Sequence, residues 1–144
     1  MEKTFHMLLY RAFHAQRAAL RPHMAELGLG PGQPKLLSYL AARGVGVAGW
    51  GACGLVWEPA GGWGAVAGLG RGGCVTTRPD ESSRRCELVE LTGQGREARA
   101  AWAEHCRAME ERMLRGFDAR EQELFADLLA RAARNLRAEE AEKV

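Results

Sequence analysis

The stretch Cys74-Val75-Thr76-Thr77-Arg78-Pro79-Asp80-Glu81-Ser82-Ser83-Arg84-Arg85-Cys86-Glu87-Leu88-Val89-Glu90-Leu91 carries the reading that decides the fold. Cys74 to Thr77 is rich in residues that suit a pleated, half-buried surface. Arg78 to Ser83 has the Pro, Asp and Ser of a turn. Arg84 to Leu91 alternates polar and apolar residues with the period of two expected of a strand. The pattern predicts a β-hairpin whose exposed tip is basic.

Helical signals lie on both sides of this hairpin. Downstream, Thr92 is suited to N-cap a helix running to about Gly116, with Ala98, Ala101, Trp102, His105, Met109 and Met113 on its apolar stripe. Asp118 with Glu121 three residues on forms a capping box. It opens a last helix bearing Leu124, Leu128, Leu129, Ala132 and Leu136. Upstream, Phe5, Leu8, Leu9, Ala12, Phe13, Leu20, Met24 and Leu27 recur at three- and four-residue steps, predicting an amphipathic helix from Thr4 to about Leu27. Gly28-Leu29-Gly30-Pro31-Gly32 stops it. A short second helix follows, with Pro34 in its first turn, Leu36, Leu37, Tyr39 and Leu40 on its buried face, and an end at Arg43-Gly44.

The block from Gly44 to Gly73 is different. It holds twelve of the 18 Gly and three of the four Trp, but only two charged residues, Glu58 and Arg71. Each interior Gly costs a helix about 1 kcal/mol relative to Ala, and neither helical nor strand periodicity stands out. The expected order is therefore helix, helix, irregular block, hairpin, long helix, long helix. The outer helices have more apolar face than so small a central unit can cover, which predicts a homodimer.

Composition narrows the function. The 144 residues carry 20 Lys+Arg against 18 Asp+Glu, a net charge of +2, which excludes a histone-like basic profile. At 47% hydrophobic and 26% charged, the chain can bury a core. No apolar run has the length of a membrane span, and the N-terminus has no signal-peptide pattern. The four Cys, at 53, 74, 86 and 106, have no Cys-x-x-Cys spacing. A reduced, cytoplasmic protein that does not engage membranes is expected. Ser38, Ser82 and Ser83 lie in no nucleophile elbow, so no catalytic residues and no enzyme activity are expected. No Gly-x-x-x-x-Gly-Lys-Ser/Thr motif occurs, so no nucleotide cofactor is expected. His6, His14, His23 and His105 form no i, i+4 pair and no cluster with carboxylates in the sequence, so no metal site is expected.

The order and spacing of these fragments resemble the MarR family of bacterial transcription regulators, which are dimeric winged helix-turn-helix proteins. Leu27 to Leu40 is similar to the family's second-helix entry, and Glu58-Pro59-Ala60 to the turn before its recognition helix. Gly73 to Asp80 and Arg84-Arg85 resemble the wing, and Val89-Glu90-Leu91-Thr92-Gly93-Gln94-Gly95 the wing's exit. Gly116-Phe117, Leu128-Leu129 and Arg134-Asn135-Leu136 also match. The likeness implies a mainly α fold with a small β wing in one protomer, 1–144. Segments 1–30 and 116–144 would dimerise, 31–91 would form the winged unit, and 92–115 the connecting helix.

The resemblance implies partners and sites as well. Double-stranded DNA with a palindromic operator would be read through Arg71, Arg78, Ser82, Ser83, Arg84 and Arg85. A small aromatic or anionic effector would sit among His14, Arg17, Tyr39, Trp102, His105 and Met109. The homodimer would bury Phe5, Leu8, Leu9, Phe117, Leu124 and Leu128. The chain departs from the family in two places. Ser83 stands where the family has an acidic residue before the wing arginines. Positions 60–72 carry only Arg71 as a side chain suited to base edges and phosphates, where the family carries its recognition helix. A reading shifted in frame through GC-rich coding DNA, a scaffold that has lost DNA reading, and a working Gly-rich recognition unit each account for such a block. The second gives the competing function, a dimeric helical ligand-binding or interaction protein. Cys74 and Cys86 flank the wing, where either buried inert thiols or a redox switch would fit.

Overall fold

A computed structural model describes residues 4–49 and 62–141. The elements are α1 (Phe5–Glu26), α2 (Gln33–Arg43), β1 (Val45–Gly49), α3 (Gly62–Arg71), β2 (Val75–Asp80), β3 (Ser83–Leu91), α4 (Gly93–Met113) and α5 (Ala119–Ala141). The chain divides into two compact units, 1–109 and 110–144.

In the first unit the local signals act as their chemistry dictates. Gly32 and Gly44 bracket α2 with positive φ values of 79° and 80°, a backbone that side chains with a Cβ rarely adopt. The helix seals its end with Gly44 N–H donating to Leu40 O at 2.7 Å. Thr92 caps α4: Gly95 N–H donates to Thr92 Oγ1 at 3.0 Å. The Thr92 hydroxyl in turn donates to Gly73 O at 2.6 Å, and Thr92 N–H to Cys74 O at 3.0 Å. The first turn of α4 is thereby clamped to the chain between α3 and β2.

The Gly-rich block contains more order than its composition predicts. Residues 62–71 form a helix despite Gly62, Gly64, Gly68 and Gly70. The reason is tertiary. Ala65, Val66 and Leu69 are 6%, 4% and 1% exposed and join a core with Leu29, Leu36, Leu37, Leu40, Cys74, Val75 and Val89. Burying a Val or Leu contributes about 1.5–3 kcal/mol each, enough to offset glycine costs of about 1 kcal/mol each. Residues 45–49 form a strand that the sequence does not announce. The sheet therefore has three strands, in the order β1-β3-β2, rather than a lone hairpin. β1 runs antiparallel to β3 from Val45 opposite Glu90 to Gly49 opposite Cys86. An edge strand needs only backbone groups facing a partner, which Val-Gly-Val-Ala-Gly supplies. The Glu58-Pro59-Ala60 turn and residues 50–61 as a whole lie outside the described residues.

The wing hairpin is tighter than the sequence suggests. β2 extends to Asp80, which pairs with Ser83, leaving Glu81 and Ser82 as the loop. In the second unit, the capping box at the start of α5 closes reciprocally. Glu121 N–H donates to Asp118 Oδ1 at 2.8 Å, and Asp118 N–H to Glu121 Oε2 at 2.9 Å.

Candidate nucleic-acid interface

α3 buries Ala65, Val66 and Leu69. By helical spacing its opposite face carries Gly64, Ala67, Gly68 and Arg71, residues at i, i+3, i+4 and i+7. Among the described side chains, that face offers one hydrogen-bonding group, the exposed Arg71 in the last turn. Base edges in a major groove are read by bidentate Arg, Lys, Asn or Gln contacts, so α3 has little with which to read sequence. Two more polar groups lie at the start of α2. Lys35 is exposed, and Gln33 accepts from Gly30 N–H at 2.9 Å through Oε1, its amide lying beside Gly68.

The wing loop is organised by Asp80. Ser82 N–H and the Ser82 hydroxyl both donate to Asp80 Oδ1, at 3.0 and 2.7 Å. These bonds, the hydroxyl's foremost, hold the Asp80 carboxyl below the usual carboxylate range. An acidic residue immediately before the arginines is thus not needed to shape the turn, and Ser83 in that place leaves the hairpin intact. Arg78 does not pair with Asp80 or Glu81, its neighbours in sequence. Its Nη2 lies 2.8 Å from Glu90 Oε1 across the hairpin, which brings a carboxylate to one of the predicted DNA contacts. Ser82 is exposed at the tip. Ser83, Arg84 and Arg85 open β3, with side chains outside the description.

The six predicted effector residues all fall in the first unit. His14 packs its ring against Tyr10 at 4.2 Å between centroids and against Phe13 at 6.1 Å. The Arg17 guanidinium lies 5.6 Å from the Phe13 ring centre. Tyr39 packs on the core, with the Arg43 guanidinium over its ring at 5.1 Å. Trp102, His105 and Met109 are half-buried on α4. His105 stacks on His23, a residue outside the predicted set, with centroids 3.8 Å apart and planes 13° apart. The expectation that the histidines have no carboxylate company is corrected here. His23, Glu26 and His105 place their ligand atoms within 4.8 Å of one another. The i, i+3 spacing of His23 and Glu26 is legible in the sequence, whereas the arrival of His105 is tertiary.

All six predicted dimer residues are exposed on the single chain. Phe5 is 90% exposed, and Leu8, Leu9, Phe117, Leu124 and Leu128 are uncovered as well. In the second unit, Phe117, Leu124, Phe125 and Leu128 line an open groove of about 430 Å³ flanked by Arg115 and Glu121. The cysteines depart from the reduced expectation: Cys86 is engaged in a disulfide, while Cys74 and Cys106 keep their thiols. Burial pushes the Cys74 thiol above its ordinary value, which makes it a poor nucleophile. Among the described residues no helix is long and apolar enough to cross a membrane.

The fold as a whole is similar to that of several solved structures. The chain is similar to a MarR-family transcriptional regulator from Silicibacter pomeroyi at 29% identity and a TM-score of 0.68, over 89% of this chain and 86% of that one. The chain has the MarR-type winged-helix fold. It is also similar to the PcaV transcriptional regulator from Streptomyces coelicolor, solved with its natural ligand (22% identity, TM-score 0.73, over 92% of this chain and 97% of that one). Bordetella bronchiseptica BpsR, whose DNA binding is regulated by 6-hydroxynicotinic acid, matches at 20% identity and a TM-score of 0.73, over 91% of this chain and 99% of that one. These matched proteins are regulators rather than enzymes. No protein-family model and no curated protein matches the sequence.

Proposed function

We propose that the chain is a MarR-type transcriptional regulator, acting as a homodimer on a palindromic operator in the cytoplasm and released or retained by a small aromatic or anionic effector. The observation that carries this reading is the winged unit itself, with α3 and its exposed Arg71 beside a β2–β3 hairpin that ends in Ser82, Ser83, Arg84 and Arg85. In this reading the arginines of the wing enter a minor groove, drawn by its negative potential, while Arg71 contacts a phosphate or base edge. Arg78 contributes once Glu90 yields to phosphate. Two such units must meet half-sites one helical turn apart, so an effector that changes their separation changes affinity. BpsR supports that logic by its own regulation.

The apolar faces of α1 and α5 support the dimer. Burying each exposed Phe or Leu contributes about 1.5–3 kcal/mol. Sedimentation at micromolar concentration tests it: wild type should run as a dimer, and Leu128→Glu together with Leu124→Glu should shift it toward monomer. A monomeric wild-type chain would refute the arrangement. One observation favours a second reading. Among the described side chains the outer face of α3 carries a single charged one, Arg71, which suits a dimeric ligand-binding or interaction protein that keeps the scaffold without reading operator sequence.

A further inference from the structure

We propose that His23, Glu26 and His105 form a binding site for a divalent transition metal of the zinc class. The inference goes beyond the regulatory reading and does not depend on it.

Two imidazoles and a carboxylate are a donor set that zinc and its first-row neighbours accept, leaving a position for water. His23 and Glu26 lie three residues apart in the last turn of α1, so both side chains project from one face. His23 Nδ1 lies 3.3 Å from Glu26 Oε2. α4 supplies the third group, His105, whose ring lies stacked on the His23 ring; a metal lies in the plane of each imidazole that binds it, so the His105 ring must turn out of this stack to share one with His23. All three ligand atoms fall within 4.8 Å of one another.

Bonds of about 2.0–2.1 Å from metal to nitrogen or oxygen place tetrahedral ligand atoms about 3.4 Å apart. His23 Nδ1 and Glu26 Oε2, 3.3 Å apart, already have that spacing, so only His105 must close, by at most about 1.4 Å, the difference between 4.8 Å and about 3.4 Å. Side-chain rotation can supply this, since His23 and His105 are half-buried and Glu26 is exposed, so no core residue has to give way. The end of α1 adds a second favourable term, because the carbonyl end of a helix carries partial negative charge and attracts cations. A metal there would tie the last turn of α1 to α4, next to the Gly28–Gly32 turn that leads into α2.

The test uses the full-length purified chain, stripped with a chelator and titrated with cobalt(II), whose visible ligand-field bands report coordination. The proposal expects one cobalt per chain in the micromolar range, tetrahedral or five-coordinate bands, no thiolate-to-cobalt charge transfer, and displacement by zinc. His23→Gln, His105→Gln and Glu26→Gln should each weaken binding by more than about tenfold, with unchanged circular dichroism. His14→Gln should bind as wild type does. Because Glu26 is exposed, its variant keeps the test open should a histidine variant fail to fold. Three results would overturn the proposal: no saturable cobalt binding, equal affinity in the three variants, or charge-transfer bands that vanish in Cys106→Ser.

Discussion

Gly95→Ala probes the joint that holds the wing to α4. A Cβ at Gly95 would lie 2.9 Å from the Cys74 carbonyl carbon and 3.2 Å from Leu91 Cδ2, with the Cys74 oxygen closer still. Carbon atoms pack comfortably at about 3.5–4.0 Å, so the helix start and the strand must part by roughly 1 Å. Overpacking of that kind costs about 1–3 kcal/mol. The same movement lengthens the Thr92 N–H bond to Cys74 O, and losing one such hydrogen bond costs about 0.5–1.5 kcal/mol. Replacing Gly by Ala in a helix returns about 0.8–1 kcal/mol. The net expectation is a destabilisation of about 1–3 kcal/mol, a Tm lowered by roughly 3–10 °C at this chain length. Thermal and urea melts measure it, with Gly93→Ala as the control, since nothing lies within 4 Å of a Cβ there. A Gly95→Ala protein as stable as wild type, or more so, would show that the clamp does not hold the joint.

Three further outcomes follow from the same geometry. Gly64→Ala and Gly70→Ala should each stabilise the protein by about 0.5–1 kcal/mol in urea melts, because both positions are helical with open space around a Cβ; destabilisation by either would mean that α3 is not helical there. The folded pKa of Cys74 is raised by burial, so its contribution is fully present below the ordinary thiol value and is lost as pH rises past it. Wild type should accordingly lose more stability than Cys74→Ala between neutral and strongly alkaline pH, and parallel losses would contradict the burial argument. Asp118→Ala removes one half of the capping box and should lower stability by about 1 kcal/mol in the same melts.

What the sequence reveals divides along the range of the interactions. The caps at Thr92 and Asp118, the Gly28–Gly32 turn, the close of α2 at Arg43-Gly44 and the alternation of β3 depend on neighbours within a few residues, and each is legible. α3 is not, because its glycines argue against a helix and its stability comes from Leu36, Leu37 and Leu40 of another element. β1 is illegible for a related reason: its residues have little strand character, and the template is β3, whose Glu90 lies 45 residues beyond its partner Val45. The ion pair of Arg78 with Glu90 and the meeting of His105 with His23 and Glu26 likewise arise only once the chain has folded. The position of Arg71 on the one solvent face of α3 required the helix first.

The central claim is that this winged unit still reads DNA. The direct measurement is fluorescence anisotropy of the purified chain with its own upstream DNA and with a scrambled duplex of equal length, as salt is raised. The account predicts tighter binding to the upstream duplex at every salt concentration, a steep fall of affinity with salt, and a slope shallower by about one unit when Arg71 is replaced by Ala. Equal binding to both duplexes, or a flat response to salt, would contradict it and leave the ligand-binding scaffold as the reading of this chain.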